Sequence, residues 1–311
     1  MKLTKLSGIN ASPEAISFFC TPPPPPGEKS GKSGEPSFGA KGFFGYSFLS
    51  SSLPAATLAE IGDQEGFSAA EFTFSQLEAF TPSQWKKISS LYGKILAGAF
   101  VSGDFAAALL QESSPGRLES FAGELEKEFR KLAAFGVKEL SFDLPFQEIL
   151  AKGECPERRN LQKLFRKLLP VLAELDQTLL LPCRIPFLSP EAGPEKISAF
   201  LRESMCPHVK LALEVYPHEL PRNADLFALA GLLGFDAGSL VFDYDADKGE
   251  TLVRGHVFPW AEYLCSYGFR GAVLVSPRSR DGRFAMTEGM RFSGIVSEIR
   301  KNPHGEEKEK K

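Results

Sequence analysis

Several apolar runs of this 311-residue chain are interrupted by, or end on, a polar side chain of a type that can do chemistry. Glu71 stands in the run 69–74, Asp143 follows 137–142, and Cys183 and Arg184 close 178–185. Glu214 and Tyr216 close 209–216, with His218 two residues beyond, behind Pro217. Asp243 and Asp245 sit at the end of 239–244, and Ser276 ends 271–276 just ahead of Arg278 and Arg280. A carboxylate buried in such a run without a partner costs several kcal/mol, so Glu214 should meet a cation or a basic group. Metal ligand and general base are one reading of it; an ion pair with Arg184 or Arg278 is the other. Glu71 and Asp143 are candidate acid–base groups on the same footing, or organisers of loops. His218 suits proton transfer because imidazole titrates near neutrality. Arg184, Tyr216, Arg278 and Arg280 are candidate substrate contacts: with Arg283, two of them place three arginines in six residues, and guanidinium forks match phosphate or carboxylate oxygens. Asp243, Asp245 and Asp247 alternate, so two of them could hold an ion or all three could form a solvated loop. Cys183 is either a thiol activated by Arg184 or a small apolar filler.

Positioning these residues falls to eight short apolar runs, 42–49, 69–74, 94–100, 137–142, 178–185, 209–216, 239–244 and 271–276, separated by segments of helical periodicity. Leu118, Phe121, Leu125, Phe129 and Leu132 step by three and four residues, as do Leu161, Leu164, Phe165, Leu168 and Leu172. Gly136 falls where the first of these helices needs a left-handed cap. Strands joined by single helices pair in parallel through right-handed crossovers, and eight such units close into a (β/α)₈ TIM barrel, a single α/β domain. A doubly wound open sheet is the rival, but no glycine-rich phosphate turn follows the first strand. The opening strand has two candidates, 42–49 and 2–9. Alternation within the sixth strand sets Ala212, Glu214 and Tyr216 on one face and Leu211, Leu213 and Val215 on the other. Helices cover the outside of a barrel, so the polar set belongs to the interior and the mouth; the same parity groups Ser141 with Asp143 and Ala272 with Ser276. Residues 1–41 form an N-terminal segment whose five prolines (Pro22 to Pro26) and Gly/Ser/Lys mixture read as a surface loop. Residues 42–300 form the barrel, and 301–311 a charged, disordered tail.

The bulk numbers exclude several classes. A formal net charge of −3 exerts no global pull on nucleic acid or anionic membrane, so any anion site is local. No run reaches the roughly 18 apolar residues of a membrane span. Lys2 and Lys5 precede an apolar stretch, but Asn10, Ser12, Pro13 and Glu14 interrupt it and Cys20 lacks the small neighbours of a cleavage site. Five scattered cysteines without metal-finger spacing fit reduced thiols, and the expected location is cytoplasmic.

The last third also carries a resemblance. Cys206-Pro-His-Val-Lys-Leu-Ala-Leu-Glu-Val-Tyr216 resembles the sixth strand of xylose-isomerase-like sugar isomerases and epimerases, in which an acidic metal ligand ends the strand. The segment from Ala237 to Ala246 is similar to their seventh strand; Gly255-His-Val-Phe-Pro-Trp260 and Tyr267-Gly-Phe-Arg-Gly271 are similar to the approach to strand eight. Gly66-Phe-Ser-Ala-Ala-Glu71 is similar to their second strand. The likeness spans roughly residues 43 to 300 and implies the same barrel.

That resemblance implies a divalent metal, Mn²⁺, Mg²⁺ or Zn²⁺, held by Glu, Asp, His and Glu at the ends of strands five to eight. Here strand five offers Pro182 or Cys183, strand six keeps Glu214, strand seven offers Phe242 and Asp243, and strand eight ends on Ser276. Glu214 and Asp243 are thus the remaining metal candidates, with no cofactor as the alternative. The implied function is sugar or sugar-phosphate isomerisation or epimerisation by proton transfer at the barrel mouth, on a small carbohydrate and without nucleic acid or membrane partners. Glu214, Glu71, Asp143 and His218 would carry the proton. A catalytically inactive barrel that keeps a ligand-binding or scaffold role is the alternative. Phosphodiester cleavage, as in related apurinic-endonuclease barrels, needs a density of histidines that four in the chain do not supply. The sequence leaves the oligomeric state open.

Overall fold

A computed structural model describes residues 43–47, 67–99, 110–111, 115–142, 144–185, 193–217, 236–253, 257, 269, 271–278 and 282–301. The chain divides into residues 1–36 and 37–311, and all described residues belong to the second unit. Eight strands occur in chain order: β1 (Phe43–Ser47), β2 (Ala69–Thr73), β3 (Lys94–Ala99), β4 (Glu139–Phe142), β5 (Thr178–Ile185), β6 (Val209–Val215), β7 (Ala237–Asp245) and β8 (Ala272–Arg278). Each pairs in parallel with its chain neighbour, and β1 pairs with β8, so the sheet is a closed (β/α)₈ barrel. The opening strand is therefore the later candidate, with Phe43 in register with Ala272; residues 2–9 lie outside the described residues.

The helices are α1 (Phe74–Ala79), α2 (Pro82–Leu91), α3 (Pro115–Ala134), α4 (Phe146–Ala151), α5 (Pro156–Glu174), α6 (Pro194–Ser204) and α7 (Gly282–Lys301). Sequence chemistry sets their ends. Thr73 and Thr81 cap α1 and α2 in capping boxes with Gln76 and Gln84, which satisfy amides that the first helical turn leaves open. Gly136, at φ 74°, takes the left-handed conformation beyond α3 that an L-residue with a side chain avoids.

Strand parity makes two cores. Phe72, Phe142, Leu181, Leu213, Phe242 and Val275 face outward and pack with the apolar faces of the helices, including Phe121 and Phe129 of α3 and Leu164 and Phe165 of α5. Ala69, Leu96, Leu180, Ala212, Val241, Ala272 and Leu274 form a second cluster, the filling of the barrel itself, with Phe43 against it. The interior parity of β3 and β4 brings charge to the base of the barrel: Lys94 Nζ lies 2.5 Å from Glu139 Oε1 and 5.3 Å above the Phe43 ring.

Candidate functional site

Active sites of this fold form at the C-terminal ends of the strands, and the interior parity gathers the polar side chains there. On one side stands Glu71, the middle residue of β2, with Ala69 beneath it in the barrel filling. The capping box at Thr73 begins α1 immediately after the strand and so fixes its upper end. Glu71 is 2% exposed. Ser47 Oγ of β1 donates to Glu71 Oε2 at 2.6 Å, and the Ser141 side chain of β4 also hydrogen-bonds to this carboxyl. Burial pushes the Glu71 carboxyl up to about 7; the two serine donors oppose that rise, and the charge of Glu139 adds to it.

On the other side, β5, β6, β7 and β8 deliver Arg184, Glu214, Asp243 and Arg278. Arg184 and Glu214 are register neighbours. Gln147 of α4 fixes the backbone of Arg184 from both directions, accepting from its N–H at 2.8 Å and donating to its carbonyl at 3.1 Å. The Arg184 guanidinium lies 4.4 Å from the centre of the Tyr216 ring, and the Arg278 guanidinium 5.7 Å from it. Arg278 Nε donates to Asp243 Oδ1 at 2.8 Å, and Tyr216 also hydrogen-bonds to Asp243. Burial raises the Asp243 carboxyl, with Arg278 opposing that rise. Burial likewise raises the Tyr216 phenol, reinforced by the charges of Glu214 and Asp243.

The two sides join through β8 and β1. Asp243 is in register with Ser276 and Ser47 with Glu71, while Tyr46 pairs with Val275, so a polar row of Asp243, Ser276, Ser47 and Glu71 crosses four adjacent strands. Of the sequence candidates, the fold therefore brings together Glu71, Arg184, Glu214, Tyr216, Asp243 and Arg278. Asp143, His218 and Arg280 lie outside the described residues. Asp245 turns away from this role: it pairs with Lys248 at 3.1 Å, and its N–H donates to Glu250 Oε2, which closes the turn after β7. Of its two readings Cys183 takes the apolar one, because it faces opposite to Arg184 and burial raises its thiol, the reverse of activation.

Ser47, Gln147 and Glu139 were not anticipated. Gln147 carried a legible signal, a lone amide between Phe146 and Ile149 in a buried turn of helix. Among the described residues a two-carboxylate remnant, Glu214 and Asp243, does not fit the divalent ion that the family resemblance implies. Among the described residues no group of three His, Cys, Asp or Glu side chains comes together, and Asp243 already accepts from a guanidinium.

No protein-family model and no curated sequence matches the chain. Solved structures do. A D-psicose 3-epimerase from Clostridium cellulolyticum H10 superposes with a TM-score of 0.60 at 13% identity, over 82% of this chain and 99% of its own. An AP endonuclease of family 2 from Brucella melitensis gives 0.58 at 17% identity, over 82% and 98%. A xylose isomerase domain containing protein from Salmonella typhimurium LT2 gives 0.57 at 14% identity, over 82% and 97%. At such identities the likeness establishes a shared fold.

Proposed function

We propose that this chain, whose fold is that of the xylose-isomerase-like barrels, is an isomerase- or epimerase-like enzyme that moves a proton beside the carbonyl of a sugar or sugar phosphate. One observation carries the reading: Glu71 is buried inside the barrel and held by a serine at 2.6 Å, and that burial pushes its carboxyl up to about 7. A carboxyl with that midpoint is present in both forms near neutral pH, the condition under which one group both takes and returns a proton. In the proposed step the Glu71 carboxylate accepts the proton on the carbon beside the carbonyl, and the bonding pair moves onto the carbonyl oxygen. For isomerisation protonated Glu71 delivers the proton to the former carbonyl carbon, while the hydroxyl proton of the neighbouring carbon passes to the negative oxygen and leaves a new carbonyl there; for epimerisation a second carrier delivers a proton to the opposite face of the same carbon as the original carbonyl re-forms. Glu214, Asp143 and His218 are assigned to that second role. Arg184 and Arg278, bracketing Tyr216, supply charge-assisted donors to the oxygen that becomes negative or to a phosphate, with Arg280 as a further contact. No step passes through a metal, because the donor set described above does not fit one. A small carbohydrate as ligand is supported by the epimerases among the fold's neighbours, and a cytoplasmic setting by five scattered cysteines without metal-finger spacing.

The test is deuterium wash-in, followed by proton NMR, across aldoses, ketoses and their phosphates. Exchange at a carbon beside the carbonyl is expected, with a loss of about 10²-fold or more in Glu71→Gln. The same readout serves the second reading, a barrel that binds without turnover. The Asp243–Arg278 pair favours that reading by engaging two mouth groups with each other. Ligand-induced thermal stabilisation without any wash-in would select it.

A further inference from the structure

We propose that the Lys94–Glu139 pair at the base of the barrel is a positioning device for the carboxyl of Glu71, setting the charge beneath it and so the ease with which it holds its proton. This deepens the function above and rests on it only for its catalytic meaning.

The geometry is contained in three neighbouring strands. Glu139 and Ser141 are alternate residues of β4 and share its inward face. Ser141 hydrogen-bonds to Glu71, so the strand that touches the carboxyl from one side carries a second acid one inward position below. Lys94 of β3 is in register with Ala69, the inward residue beneath Glu71 on β2, and it holds Glu139 Oε1. The other oxygen, Oε2, is buried and has no hydrogen-bond partner among the described residues. An acid with one oxygen compensated and one not keeps an outward electric field, and inside a barrel that field is poorly screened.

Both neighbours feel it. Glu139 acts on Glu71 as a like charge that favours the neutral carboxyl, while burial raises Glu139 itself against the pull of Lys94 and, more weakly, Lys210 of β6. The described groups facing Glu71 are then Ser47 from β1, Ser141 and Glu139 from β4, and, one step removed, Lys94 from β3 and Lys210 from β6. The two serines stabilise the carboxylate and Glu139 opposes them. Catalysis near neutral pH needs that balance.

The experiment is a ¹³C NMR titration of the Glu71 carboxyl in the full chain without ligand, assigned by loss of its signal in Glu71→Gln. Glu139→Gln removes the like charge and leaves Lys94 cationic, so the Glu71 midpoint should fall by about half a unit or more. The double variant Lys94→Met/Glu139→Gln removes both charges with side chains of similar size, a change that buried pairs commonly tolerate. Its midpoint should lie between those of wild type and Glu139→Gln, and this comparison stands if the single variant does not fold. A midpoint unmoved in either folded variant overturns the proposal. Because no substrate is involved, failure of the assigned function would appear elsewhere, as wash-in that survives Glu71→Gln.

Discussion

Glu71 has a cost that the rest of the barrel must cover. Its carboxyl keeps a proton in the native protein up to about pH 7, whereas in the unfolded chain it gives that proton up near 4.5. The native state therefore binds more protons through this interval, and stability is lost as pH rises through it. The loss is complete above the native midpoint and amounts to about 3 kcal/mol. Glu71→Gln keeps a hydrogen-bonding group for Ser47 and removes the ionisation. Thermal melts should show the variant gaining on wild type as pH is raised from about 5 to 8, and parallel curves would refute a buried, titrating Glu71. The arginines at the mouth follow different rules: Arg278 is partly exposed, so its pair with Asp243 contributes about 1 kcal/mol or less to stability, and its removal should register on ligand affinity.

At the scale of elements, the tightest constraint is where β1 meets β2. A Cβ on Gly45 would lie 1.8 Å from the carbonyl oxygen of Ala69, which is backbone and cannot step aside. Gly45→Ala should therefore disrupt the β1–β2 ladder and with it the Ser47–Glu71 contact one inward position above; recovery of folded protein with native melting behaviour would show the approach to be less close. Much at this scale was legible. Runs of apolar residues with helical periodicity between them gave all eight strands, and the parity of β6 placed Glu214 and Tyr216 with the interior set. What stayed hidden depends on shear and register, which no local pattern encodes. Ser47 is ordinary in sequence and matters because β1 lies beside β2 with Ser47 opposite Glu71. Lys94 and Glu139 are 45 positions apart in the chain, and only the pairing of β3 with β4 in this register makes them one ion pair. Of the two readings of Cys183 the apolar one holds, because adjacency to Arg184 in the chain means opposite faces in a strand.

For the molecule as a whole, the closed sheet divides labour between its two ends. The outer core of aromatic and aliphatic side chains between strands and helices carries most of the burial, while the barrel filling is thin, largely Ala and Leu, with charge below it and a polar row above. Closure requires β1 to find β8 across most of the chain, Phe43 against Ala272, so the pairing that shuts the barrel is also the most non-local one, and non-local pairings form slowly. Until then Glu71, Lys94 and Glu139 face water on an open sheet, where Glu71 is ionised at neutral pH. Shutting the seam strips that water away, so between about pH 4.5 and 7 closure draws a proton from solution onto Glu71. Barrel assembly is in this sense a proton-consuming reaction. The slowest refolding phase should lengthen as pH rises from about 5 to 7 in wild type, level off above that, and lose the dependence in Glu71→Gln.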